Sequence, residues 1–555
     1  MTTIEQASAP ATGPDGQGSG RPRAGRRPLA AGAGLLSAGV ALGGAELVAG
    51  LVGPQASPVV AVGDTVITLV PEPVKAFAIA TFGESDKIAL VVGTLLVIAV
   101  YAAVLGVLAL RRRTPGVAGI ALFGVVGAVA AATGPAGGPL DALPSLAGAV
   151  AGVVALLALL APLTGPTAGA ATTRPDDGVP PAERLRTSLG AGDRKGPGLD
   201  RRRFFLTGAA AAGAAVATGG AGRLLLRRFD VGGARAGLVL PAPASPAAAL
   251  PAGADLAAAI GGLTPLFTPN RDFYRVDTAL TVPQIDPAGY ELSLTGMFDA
   301  PRSYTLDDLL GRSDVIERDT TLTCVSNTVG GRLAGTARWL GIPLGALLRE
   351  NGIRPGSDQL VCRSVDGMTI GAPTRSALEV KDAMLAFGMN GEPLPVEHGF
   401  PVRMIIPGLY GYVSACKWLT GIEASTYDAF DVYWTERDWA ARAPIKIASR
   451  IDTPAPLRRF PAGRRAIAGV AWAQTRGIGA VEVRVDDGPW LPAQLSPQVD
   501  ADLWRQWVLP HDFAPGSYQL TVRATSAEGE VQTEERAEPF PAGSSGLHSI
   551  RVNAT

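Results

Sequence analysis

The sequence predicts a multidomain fold in three parts: an N-terminal bundle of apolar transmembrane α-helices, an α+β domain and a C-terminal β-sandwich. Three observations predict it. Hydrophobic residues make up 47% of the 555-residue chain and charged residues only 18%, a balance expected when part of a protein lies in lipid. Long uncharged runs fill the chain before about position 229, after which Gly- and Pro-rich turns and short alternating segments take over. All three cysteines, Cys324, Cys362 and Cys416, and all three histidines, His398, His511 and His548, lie beyond position 320, so the apolar half has neither a histidine pair for haem nor a thiolate for metal. Forty-nine basic residues balance forty-nine acidic ones, which leaves no global field to gather nucleic acid. Three cysteines exclude a disulfide scaffold.

Residues 1–28 read as a disordered cytoplasmic tail ending in the basic cluster Arg21–Arg27. The region 29–164 then holds about four spans: Leu29–Val52, Ile88–Leu110, Val117–Gly134 and Leu146–Leu163, each near the ~20 residues needed to cross hydrocarbon. Arg111, Arg112 and Arg113 place the end of the second span in the cytoplasm and residues 53–87 outside, as an interfacial helix or hairpin or as a further buried span. The arginine-rich stretch 165–203 is expected to be a cytoplasmic linker. In Asp200–Gly222, arginines precede two phenylalanines and an Ala/Gly run, either a twin-arginine export signal or a stop-transfer flank; residues 204–222 form the fifth helix in both readings. Arg223, Arg227 and Arg228 then lie outside, against the positive-inside rule.

Residues 223–254 read as a linker, 255–440 as the α+β domain and 445–555 as the sandwich. In the last, Val481–Gly488 and Tyr518–Thr525 alternate apolar and polar side chains, and Asp-Gly closes the first as a hairpin.

Cys324, in TTLTCVSNTVGG, ends a β-branched run at a loop rich in Ser, Asn and Gly; alone it is either a buried structural cysteine or a functional thiol, and as a nucleophile it has only His398 as a base by type. Downstream, His398 and Arg403 flank a Gly-Phe-Pro turn and Lys417 follows a glycine loop. Cations around glycine turns suit a phosphate-bearing cofactor, or else form a solvated basic loop.

HGFPVR (His398–Arg403), KWL (Lys417–Leu419), the loop cysteine, TPNRDFY (Thr268–Tyr274) and the terminal β-domain together resemble the sulfite oxidase family of molybdopterin oxidoreductases, over about residues 260–550. The resemblance implies a molybdenum–molybdopterin cofactor whose metal is held by one pterin dithiolene and the Cys324 thiolate, in a sulfite-oxidase-like α+β domain followed by an immunoglobulin-like, dimerisation-type sandwich. By the same likeness Asn270, Phe273 and Tyr274 line the pterin, while Asp366, His398, Arg403, Ser414 and Lys417 hold its edge and phosphate. Arg275 either faces the anion pocket in a catalytic role or closes a strand, and Trp339 matches the family's helix entry, packing the helix under the cofactor rather than touching substrate. Animal and plant relatives follow the cysteine and Asn with two arginines; here Asn327 is followed by Thr328 and Val329, so a substrate-binding cation is missing unless Arg332 or Arg338 replaces it.

The implied activity is two-electron oxygen-atom transfer by a membrane-anchored oxidoreductase whose catalytic domain is extracytoplasmic. With no Cys-x-x-Cys-His motif, haem is not expected, and electrons pass to a separate protein or a quinone. A sulfoxide-type reductase with the same cofactor is the alternative enzyme, and a non-catalytic sensor or transporter with a ligand-binding ectodomain the alternative class. A small-molecule substrate is expected, a homodimer is one assembly open to the chain, and Cys362 and Cys416 read as buried thiols.

Overall fold

The computed structural model describes residues 26–70, 74, 81–82, 86–134, 137–164 and 200–555. The expected tail, up to residue 25, and the linker from 165 to 199 lie outside them. The chain divides into two compact units, residues 1–62, 87–132 and 139–225 forming the first and the remainder the second.

In the first unit, five helices among the described residues are long and apolar enough by length and composition to cross a bilayer. They are α1 (Arg26–Val52), α3 (Asp86–Ala109), α4 (Arg113–Thr133), α5 (Leu143–Thr164) and α6 (Arg201–Leu226), with the shorter α2 (Pro58–Leu69) after α1. Where the side chain is only hydrogen, helices approach backbone to backbone. A Cβ on Gly34 of α1 would fall 1.9 Å from the carbonyl oxygen of Ala102 in α3, and one on Gly106 would fall 2.0 Å from that of Ala30. Ser37 of α1 donates to the Gly152 carbonyl of α5 at 2.6 Å. The one acid of α1, Glu46, accepts from Ser57 Oγ at 2.5 Å and lies 4.0 Å from Arg223. That pairing gives the arginine at the far end of α6 a local counter-charge, which the positive-inside rule does not weigh.

The second unit opens with residues 226–289, largely irregular but pinned. Val231 is buried, Arg235 donates to the carbonyls of Leu394 and Pro393, and Ser245 bridges to Ile316. The segment expected to be a linker is therefore packed onto the domain beyond it, because its few large side chains find hydrophobic seats.

The α+β domain has two sheets. The first is ordered β2 (Arg302–Thr305), β1 (Glu291–Gly296), β10 (Leu419–Ser425), β5 (Gln359–Ser364), β6 (Thr369–Pro373). The second is ordered β3 (Ile316–Thr323), β4 (Ala334–Pro343), β7 (Met384–Met389), β8 (Glu392–Pro393), with β9 (Arg403–Ile405) also on β7. Leu292, Leu294, Ile342, Leu360, Phe387 and Ile422 join them in one core. Cys362 and Cys416 sit in that core as free thiols, with Cys362 Sγ 3.4 Å from Met404 Sδ.

The C-terminal domain has two further sheets over a shared core containing Ile467, Val483, Trp507, Val522 and Val552. One is ordered β11 (Ala448–Thr453), β13 (Gly463–Trp472), β17 (Arg505–Phe513), β16 (Gln494–Leu495). The other is ordered β12 (Arg459–Phe460), β19 (His548–Ala554), β18 (Gly516–Ser526), β14 (Ile478–Val485), β15 (Trp490–Pro492). The Asp-Gly turn closes β14 on β15 as the alternation predicts, with Arg484 opposite Trp490.

Candidate functional site

β3 and β4 are antiparallel as far as the pair Thr323 and Ala334, and the residues between form the cysteine loop. Backbone bonds fold it tightly: Cys324 N–H to Leu333 O at 2.9 Å and Asn327 N–H to Cys324 O at 3.0 Å. The Asn327 side chain accepts from Leu333 N–H at 2.8 Å. Cys324 is 8% exposed, and burial raises its thiol against the opposing hydrogen bonds of Ser326. The protein alone therefore keeps this thiol protonated at neutral pH, and a bound cation has to displace the proton.

The other two motifs are the HGFPVR turn and the glycine loop after it. Gly399, at φ 112°, takes a conformation costly for side chains with a Cβ, and a Cβ there would press to 3.1 Å on Lys417 Cα. A Cβ on Gly411 would make only ordinary contacts, 3.8 Å from Thr323 O and 3.9 Å from the Tyr274 hydroxyl, which sets the glycine loop beside the end of β3. The Tyr274 ring stacks on Phe273 at 5.3 Å, and Phe273 meets Trp339 and His398 edge-on. Burial raises the Tyr274 phenol; the charges of Cys324, which raises it further, and of Arg403, which lowers it, both reach it.

Arg403 is the decisive residue. It is 5% exposed, its Nη1 donates to His398 O at 3.0 Å, and its guanidinium lies 5.0 Å from the centre of the Trp339 ring. Its Nε is buried with no hydrogen-bond partner. Among the described residues no carboxylate lies within 4.0 Å of it. Burial lowers Arg403 to about 10, so it stays charged at neutral pH. A buried cation with an unspent donor costs several kcal/mol unless an anion answers it.

The other expected residues divide into two groups. His398 Nε2 contacts Asn270 O at 3.1 Å, and burial, aided by Arg403, lowers it to about 4, so the ring is neutral. Lys417 Nζ is 3.0 Å from Asp277, and burial lowers it to about 8 against the pull of that carboxylate. Arg275 reaches the same carboxylate at 2.6 Å. The Asn270 side chain donates to Glu392 at 2.5 Å and accepts from Asn390 at 2.8 Å. Asp366 and Ser414 make local bonds instead. The first caps Met368 N–H in the β5–β6 turn at 3.1 Å, and the second donates to the Leu409 and Tyr410 carbonyls. Sequence reasoning missed Asp277, which gives Lys417 and Arg275 a common counter-ion; its only signal was the Arg-x-Asp spacing after the TPNRDFY segment. Of the two proposed substitutes for the missing cation, Arg338 is already bidentate with Asp319 at 2.7 and 2.8 Å, and Arg332 is exposed.

Among the described residues no three His, Cys, Asp or Glu side chains gather to hold a metal ion. A metal at Cys324 therefore needs ligands from outside the protein. The orphaned Arg403 Nε, with Lys417 beyond it, fits a polyanionic organic group that brings such ligands.

Comparison with known proteins agrees. Residues 279–434, which carry Cys324, Asp366, His398, Arg403, Ser414 and Lys417, match the oxidoreductase molybdopterin binding domain. Similar proteins are the mitochondrial sulfite oxidase of Drosophila melanogaster, 30% identical over 48% of this chain and 56% of that one, and the sulfite oxidase of Gallus gallus, 27% identical over 49% and 69%. Residues 279–434 are thus a molybdopterin-binding oxidoreductase domain, similar to that of sulfite oxidases. It spans little more than half the length of the Drosophila relative. Among solved structures, the sulfane dehydrogenase SoxCD from Paracoccus pantotrophus aligns over 52% of this chain and 83% of its own, with 22% identity and a TM-score of 0.46. The domain match takes in Cys324 and Arg403 and leaves Asn270, Phe273, Tyr274 and Arg275 outside its bounds.

Proposed function

We propose that the protein is a membrane-anchored molybdenum-cofactor oxidoreductase that transfers an oxygen atom in a two-electron step and passes the electrons to a separate protein or quinone. What supports this reading is Arg403, a buried guanidinium with an unpartnered Nε in the HGFPVR turn. The Cys324 thiolate holds the molybdenum, and Arg403, Lys417 and His398 hold the pterin and its phosphate, with Phe273 and Tyr274 against its face. When bound, the cofactor supplies two-electron redox chemistry and an exchangeable oxygen, which no side chain offers. The protein's own part is to bind, orient and exclude water. Neutral His398 donates or accepts a hydrogen bond without adding charge, Arg403 contributes fixed positive charge in a dry setting, and Asp277 restrains Lys417.

The five apolar helices support anchoring, with the arginine run at the start of α6 acting as a twin-arginine signal that carries the folded domain to the extracytoplasmic side. We read the C-terminal pair of sheets as an immunoglobulin-like sandwich that can serve dimerisation. Sulfite is the first substrate to test. A sulfoxide-type reductase is the second reading, favoured by exposed Thr328 and half-buried Val329 in place of the arginines.

The test is molybdenum and pterin content beside activity, with sulfite and an artificial acceptor in one assay and methionine sulfoxide and an artificial donor in the other. Wild type is expected to carry about one molybdenum per chain, and Cys324→Ala to fold but lose turnover in both assays. Wild-type protein free of molybdenum, or an active Cys324→Ala variant, overturns the reading.

A further inference from the structure

If the arginines of the cysteine loop are absent, an anionic substrate needs another cation, and the structure holds one that belongs to no motif. Residues 443–447 run beside the glycine loop, with Tyr410 N–H bonded to Ala443 O and Ile445 N–H to Gly408 O, both at 2.9 Å. This pairing brings Lys446 to Tyr410, whose hydroxyl lies 3.5 Å from Lys446 N. Tyr410 in turn packs in one buried cluster with Ile445 and with Val325, the neighbour of Cys324.

A strap from the C-terminal domain crosses the same place. Ser544 donates to Asn327 O in the cysteine loop at 2.6 Å. Gly543, one residue earlier, lies so close to Tyr410 that a Cβ would come within 2.5 Å of its hydroxyl oxygen. Lys446 Nζ donates to Gly543 O at 2.5 Å. The lysine head is thus fixed beside Tyr410 and under a strap that also touches the cysteine loop.

Its charge is unanswered. An ammonium has three donors, and one is used. The acids on neighbouring strands are spent: Asp452 on Arg450 at 2.6 Å and Glu530 on Arg476 at 2.7 Å. Among the described residues, no carboxylate lies within 4.0 Å of Lys446 Nζ. A half-buried ammonium tethered through a single carbonyl keeps donors that an anion can take.

We propose that Lys446 is a substrate-binding residue that receives the oxyanion, taking the place of the cations lacking at Thr328 and Val329. This rests on the oxidoreductase reading and names its substrate class: a small oxyanion such as sulfite, in preference to a neutral sulfoxide. The Tyr410 hydroxyl is positioned as a second donor. No proton or bond is exchanged with the lysine, whose contribution is charge and direction.

Sulfate, a stable oxyanion of the same shape class, is the probe. Its affinity is measured by calorimetry on the full-length purified protein, for wild type and for Lys446→Gln, Lys446→Met and Lys446→Arg, alongside melting temperature, molybdenum content and sulfite kinetics. Loss of the ammonium is expected to weaken sulfate about tenfold or more, and to raise the KM for sulfite similarly with kcat and molybdenum content little changed. Lys446→Arg should restore most of the binding. Using both Gln and Met keeps the reading open should one fail to fold, and Arg tests charge without shortening the chain. Unchanged sulfate affinity in a folded, uncharged variant, or no sulfate binding by wild type, overturns the assignment. Missing molybdenum in wild type would instead strike at the oxidoreductase reading, and the sulfate titration separates the two.

Discussion

The imidazole of His548, at the start of β19, lies against Gly330 in the cysteine loop, so that a Cβ on Gly330 would fall 2.3 Å from the ring. The C-terminal domain holds that loop and the strand leading into it at further points. Arg450 donates to Gly331 O, Gln474 to Thr321 O, and Thr321 N–H reaches Asp502 O, each at 2.9 Å. The sheets that look remote from the chemistry therefore set where Cys324 sits. Gly330 is also at φ 77°, a second reason against a side chain. Gly330→Ala is expected to cost about 1–3 kcal/mol and to lower molybdenum retention. Melting temperature and metal content check it, and a variant equal to wild type in both would show that the contact does not position the loop.

His548 also makes the domain acid-sensitive. Its Nδ1 accepts from Ile451 N–H at 3.0 Å, which requires the neutral ring. Burial first, and Arg450 second, lower it to about 4. The unfolded imidazole protonates near 6.5, so between these values the unfolded chain binds more protons. Its contribution is complete above about pH 6.5 and drains as the pH falls through 4, amounting to about 3 kcal/mol. His398, lowered likewise, adds to the same limb. Urea unfolding between pH 7.5 and 4.5 should show this slope, and His548→Asn should flatten it; an equally steep limb in the variant would contradict the assignment.

Asp277 is 3% exposed and shared by Arg275 and Lys417. Asp277→Asn strands two cations, one of them buried, and is expected to destabilise the cofactor-free protein by about 3 kcal/mol. On the proposed function the pterin phosphate would answer the same cations, so loaded protein should lose less. Melting curves with and without cofactor test this, and equal losses would place the phosphate elsewhere.

In the helical unit, Gly106→Leu sets a branched side chain where the Ala30 carbonyl lies 2.0 Å from a Cβ. The contact of α1 with α3 should open, at a cost of about 2 kcal/mol or more, visible as loss of a monodisperse detergent-solubilised species or as greater protease sensitivity. Gly93→Leu, where a Cβ meets nothing within 4 Å, is the matched control and should behave as wild type.

How far the sequence revealed this molecule depends on the range of the interaction. The five long helices were legible because length and lack of charge act locally, residue by residue. Cys324, His398, Arg403 and Lys417 could be singled out in the sequence because they stand in motifs that resemble those of sulfite oxidases. Arg403 gains its meaning only in three dimensions, where Nε finds no partner. Asp277 and Lys446 were not legible. The first meets Lys417 across 140 residues and the second meets Gly543 across 97, and neither periodicity nor spacing encodes such meetings. Ser414 and Asp366 show the reverse: both belong to the expected set, yet their side chains serve the backbone beside them. The packing of residues 226–254 also escaped a compositional reading, because Gly, Pro and Ala promise a loose chain unless a few large residues such as Val231 and Arg235 find seats.

X-ray absorption at the molybdenum edge tests the central claim most directly, because it counts the sulfur atoms around the metal. The account predicts three in wild type, two from the pterin and one from Cys324, and two in Cys324→Ala loaded with the same cofactor. An identical sulfur count in both proteins would mean that the buried thiol of the cysteine loop does not hold the metal.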